Sequence, residues 1–293
     1  MPHLHHGAPK SFGPLLVTIT LVFVTLVYVR GWISLRSYRL DRIPAWRACS
    51  FIVGLFLIWL AVASPFSALD HELLTAHMLK HLVLMTIAPP FIWLGEPVRS
   101  VARVFRPTMW QTTTSFSFLY QPGQALGRLE VCWLAAAAAL VGWHIPTAFN
   151  LAMHSPVWHF AEQSSFLATG LLFWWPVVQP WPSTPKSDLS MILYLFFATL
   201  PCDILSGFLV FCDRVVYPDY LSSSRLFGFT AIGDQQCAAA LMWTCVTIVY
   251  LVAGAILAMQ LLSPEKRLDA QLVPPTSGVH AAPPTLPQGL EAF

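Results

Sequence analysis

Two histidines four residues apart, His77 and His81, stand in an apolar stretch reading Ala76-His77-Met78-Leu79-Lys80-His81 and continuing to Met85. On a helix, residues four apart lie one above the other, so both imidazoles can reach a single ion. At about 100° per residue, His77, His81 and Met85 form a slowly drifting stripe. His71 and Met78 fall close beside it, all five within an arc of about 120°, and the same wheel turns Lys80 away from the arc. Imidazole with thioether suits copper, Cu(I) above all, whereas imidazole alone also suits zinc or iron.

Other polar groups are expected at the same level of the molecule. His144 stands in Trp143-His144-Ile145-Pro146, His154 and His159 flank a short loop, and Glu162 and Gln163 follow one turn later. Asp234-Gln235-Gln236 opens the last apolar segment, with Met242 two turns deeper. A single histidine in an apolar helix is usually a hydrogen-bonding strut, and methionines at helical spacing are usually core packing. Convergence from four segments, with a pair at i and i+4, is what points to ligation. The metal candidates are His77 and His81 first, then His144 and His159, with Met85, Met78, His71, Glu162 and Asp234 around them. The sequence also allows a haem, with His81 and His144 facing each other across a bundle. The N-terminal tract Met1-Pro2-His3-Leu4-His5-His6 could catch copper or zinc, or be incidental. Asp203, beside Cys202 in an apolar run, needs a partner or a water-filled cavity.

The elements that must position these groups follow from composition. The chain has 293 residues with 16 Lys and Arg and 14 Asp and Glu, so 10% of it is charged and 56% hydrophobic; its mean hydropathy is +0.62. Soluble domains carry roughly a quarter charged residues. An integral membrane protein is expected, and the net charge of +2 leaves no basic patch for nucleic acid. A span needs about 20 mostly apolar residues. Seven segments qualify, at 14–34, 48–67, 71–95, 130–148, 157–178, 189–211 and 236–262, which predicts an all-α membrane protein, a seven-helix transmembrane bundle over 14–262. Residues 1–13 form an outer His-containing segment, and the Pro-rich 263–293 is expected to be a disordered cytoplasmic tail.

Twelve of the 16 Lys and Arg fall on one side of this layout, against Lys10, Arg214 and Arg225 on the other and Lys80 within a span. The positive-inside rule then places the N-terminus outside and the C-terminus in the cytoplasm. The histidine cluster would lie in the outer half of the bundle. No His-Glu-x-x-His zinc protease motif and no Gly-rich phosphate loop occurs. The last span has no lysine for a retinal Schiff base. The six cysteines form no Cys-x-x-Cys pair, and only Cys212 and Cys237 stand as weak disulfide or soft-metal candidates. An enzyme is not expected.

At these residues the sequence resembles a known family. His77 to Met85, followed by Ala88-Pro89-Pro90 and Leu94-Gly95-Glu96-Pro97, is similar to the first motif block of the multi-pass CtaG family of cytochrome c oxidase assembly factors. The single-span copper chaperones that share the CtaG name are a different family. Trp143-His144-Ile145-Pro146 through His159 to Phe173-Trp174 resembles the second block, and Asp234-Gln235-Gln236 with Met242-Trp243 the third. Lys80 stands where the family pattern suggests glutamine, Gln163 where it has histidine, and Ala238 and Ala239 where it has glycine. The resemblance implies a bacterial inner-membrane protein that assembles haem-copper oxidases, handles copper at the outer face and passes it to an oxidase subunit. Periplasmic copper chaperones are further partners that the resemblance implies. A membrane cytochrome and a copper permease are the competing readings.

Overall fold

The computed structural model describes residues 12–37, 44–105, 128–178, 188–221, 228 and 230–262. The N-terminal histidines and the tail 263–293 lie outside the described residues. Every regular element among them is helical. Helices α1 (Phe12–Ser37) and α2 (Ala45–Val62) lead through a 3₁₀ turn, Pro65–His71, into α3 (Leu74–Leu94). There follow α4 (Pro97–Phe105), α5 (Leu129–His144), α6 (Pro146–His154), α7 (Pro156–Val178), α8 (Asp188–Phe211) and α9 (Ala231–Leu262).

Among the described residues five helices, α1, α2, α3, α8 and α9, are long and apolar enough to cross a membrane, and α5 with α6 makes a sixth if that pair is one span. This falls short of seven uniform spans, for two physical reasons. α5 and α6 meet at a 75° bend. Pro146 has no N–H to continue the helix and holds Ile145 extended, at φ −65° and ψ 127°. The segment expected at 157–178 is indeed a helix, the 23-residue α7, but His159, Glu162, Gln163, Ser164 and Ser165 dilute its apolar character. The residues that could do chemistry are those that weaken it as a span.

α3 is not uniform either. Val83–Ile87 winds as a π-helix. Pro89 and Pro90 carry no amide hydrogen, so neither an i+4 nor an i+5 donor reaches the Met85 carbonyl. Gly170 of α7 packs onto that spot: a Cβ there would lie 2.6 Å from the Met85 carbonyl oxygen and 2.7 Å from its Cα. The two helices run in one register, since His77 faces Glu162, His81 stacks on Phe166 at 4.1 Å, and Met85 meets Gly170. One rung follows another at every fourth residue of each helix.

The rest of the bundle braces this pair. Asp234 of α9 accepts hydrogen bonds from the Leu74 and Thr75 amides at 2.6 and 3.1 Å and from the Thr75 hydroxyl at 2.6 Å. It caps the first turn of α3 from another helix, satisfying donors that no intrahelical carbonyl can reach. At the far end, Glu96 takes a left-handed conformation, φ 49°, and is held by Arg47 of α2 and by Arg99. Tyr28 of α1 donates to the Gly95 carbonyl at 2.7 Å. Large apolar side chains such as Phe196, Ile204, Phe211, Ile248 and Leu251 point outward, as a bundle solvated by lipid requires.

Candidate metal centre

Helix α3 supplies His77 and His81, and α7 supplies Glu162; all three are buried. The Nε2 atoms of His77 and His81 lie 3.5 and 3.6 Å from Glu162 Oε1. One ligand atom from each residue lies within 4.8 Å of those of the other two. Among the described residues, neither ring nitrogen of either histidine and neither oxygen of Glu162 has a hydrogen-bond partner. Burying a carboxylate and two imidazoles with no bond to satisfy them is costly. Three donors this close together are what a bound cation would satisfy, and a set of two imidazoles and a carboxylate fits copper, zinc or iron. Phe149, 4.9 Å from the His77 ring, and Phe166 against His81 wall the group off.

The structure places His71 apart from the α3 stripe. It ends the 3₁₀ turn before α3 begins, with its side chain 54% exposed. It belongs instead to a second group, Asp70, His71 and His159, whose ligand atoms also lie within 4.8 Å of one another. His159 Nε2 lies 3.2 Å from Asp70 Oδ2, and His159 Nδ1 lies 3.5 Å from Glu162 Oε2. One imidazole therefore faces both groups, and Gln163 reaches the same Nε2. Lys80, turned away on a helical wheel, is buried and ion-paired with Asp70. Its long side chain runs back toward the N-terminal end of its own helix and reaches the turn. Asp70 lies outside the spanning helices. Burial alone would raise its carboxyl, but the His159 hydrogen bond and the Lys80 charge outweigh that and hold it well below the usual carboxylate range.

His144 closes α5 and is held one step away from the triad. Its Nδ1 lies 2.7 Å from the Leu140 carbonyl and its Nε2 3.2 Å from Met78 Sδ, and its ring centroid is 6.0 Å from that of His81. Below the two rings is a cavity of about 40 Å³ whose wall includes Met78, Met85, Met242 and Cys202. The structure thus gathers His77, His81, Glu162, His159, His71, His144, Met78 and Met85. Asp234 does not join them, because its carboxylate caps α3. His154 also stays apart, exposed and 3.8 Å from Asp219. Sequence reasoning missed Asp70 and the part played by Lys80. An acidic residue immediately before a histidine, just ahead of the His77/His81 helix, was the available signal.

A family model described as cytochrome c oxidase caa3 assembly factor (Caa3_CtaG) matches residues 26–263. Comparison with curated proteins and with solved structures finds no match. The matched region covers most of the chain and takes in α2 to α9 with both groups of ligands. The chain belongs to the caa3 cytochrome c oxidase assembly factor family.

Proposed function

Taking the chain as a member of that family, we propose that it handles copper for a haem-copper oxidase: the ion is its cargo, held by His77, His81 and Glu162 and passed to an oxidase subunit. The observation that carries this reading is the buried triad, whose donor atoms have no hydrogen-bond partner among the described residues. Copper is favoured over zinc or iron by the sulfur-bearing wall directly below, where Met78, Met85, Met242 and Cys202 meet His81 and His144. Thioether and thiol stabilise Cu(I), and imidazole accommodates both oxidation states. A cargo site needs ligands that can be exchanged, and the thioethers that line the cavity with His81 and His144 supply alternatives. The cavity of about 40 Å³ has room for an ion with a few waters. The distribution of Lys and Arg supports a bacterial inner-membrane orientation with the triad in the outer half. The protein would then work by binding and release, without a catalysed reaction.

The test is a host strain lacking this protein and complemented with His77→Ala. The expected result is a variant present in the membrane at normal level and an oxidase depleted of copper. An oxidase with normal copper content in that strain overturns the reading.

A further inference from the structure

We propose that Asp70, His71 and His159 form a second copper station, the port through which the ion reaches the buried triad, with His159 shared between the two. This rests on the copper reading of the triad. The observations are a contrast in exposure and a bridge. Side-chain exposure is 54% at His71 and 17% at His159, against 2% at Asp70 and 6% or less at His77, His81 and Glu162, so the two outer imidazoles are the solvent-facing members. An ion bound only by the triad has no direct contact with solvent, so something must conduct it there. His159 presents Nε2 to Asp70 at 3.2 Å and Nδ1 to Glu162 at 3.5 Å. The chain of donors is thus unbroken from His71 at the surface to the triad. Each station offers imidazole and carboxylate, so transfer exchanges like ligands for like.

Asp70 has a second feature of a cation site: its Oδ1 is buried without a hydrogen-bond partner among the described residues and faces His71 Nε2 at 3.7 Å. Its other oxygen carries the Lys80 ammonium. Lys80 therefore competes with an arriving ion. It neutralises Asp70 between passages and keeps the outer station weaker than the inner one, which favours inward movement.

The test counts copper equivalents and times their uptake in detergent-purified full-length protein, using Cu(I) under anaerobic conditions with a chromophoric chelator as donor. Wild-type protein is expected to take one tight and one weaker equivalent. His71→Ala and Asp70→Asn should each lose the weaker equivalent and fill the triad at least 10-fold more slowly, with its final affinity unchanged. His71 is half exposed, so its variant folds even if Asp70→Asn does not. Lys80→Gln should tighten the weaker equivalent. His77→Ala/His81→Ala should keep the weaker equivalent alone. A wild type that takes a single equivalent, or a His71→Ala protein that loads at the wild-type rate, overturns the port and leaves the triad standing. A wild type that takes no copper overturns both.

Discussion

His77 and His81 share one helix face, and Glu162 reaches both from the neighbouring helix. Spacing alone made the histidine pair legible, because i and i+4 on any helix are neighbours. Glu162 was legible as one polar group among several, but its meeting with both imidazoles needed the α3–α7 register. Asp70 was marked only by standing next to His71, since a 3₁₀ turn gives no helical wheel to show which way a side chain faces. Asp234 shows the opposite case: an acidic residue at the right level that serves as a cap. Asp234→Ala should lower stability by about 1–2 kcal/mol, read by thermal unfolding in detergent, and leave the tight copper equivalent in place. Loss of copper with unchanged stability would make Asp234 a ligand. Asp70 carries a pH signature. Its carboxyl titrates lower folded than unfolded, so the stabilisation from its ionised form is fully present above about pH 4. That stabilisation is lost as the pH falls through the depressed folded value. Asp70→Asn should be less stable than wild type at neutral pH, and the difference should shrink in strong acid.

At the scale of elements, the π-segment and the register of α3 on α7 decide whether the triad meets. Seven apolar segments could be read from hydropathy, yet neither the 75° break at Pro146 nor the π-turn ahead of Pro89 follows from apolarity. Both come from proline's missing amide hydrogen, which a hydropathy reading ignores. Gly170 is the sensitive point, because a side chain there meets backbone at 2.6 Å. Backbone cannot rotate out of the way as a side-chain tip can. Gly170→Ala should cost about 1–3 kcal/mol and push α7 from α3, moving Glu162 off the histidines two turns above. The expected readout is weaker copper binding in a variant that still inserts. Unchanged affinity would show that the triad tolerates a shift of α7.

At the scale of the whole molecule, the chain segregates its chemistry. Carboxylates and imidazoles collect at one end of the α3–α7 pair, sulfur lies one layer below, and Glu96 with Arg47 and Arg99 ties the opposite end. The charge asymmetry of the sequence predicts which end faces out. A membrane-impermeant thiol reagent added to intact cells should label His5→Cys and spare Gln288→Cys, in a background lacking Cys49, Cys212 and Cys237. The reverse pattern would put the triad on the cytoplasmic side and remove delivery from the outer face.

The most direct test of copper handling is an anaerobic titration of the purified protein with Cu(I) against a colorimetric competitor, for the wild type and for His77→Ala/His81→Ala. The account predicts one tightly held copper in the wild type, absent from the double variant, with no Soret band in either. A wild type that leaves all copper with the competitor, or a double variant that holds it as tightly, would contradict it.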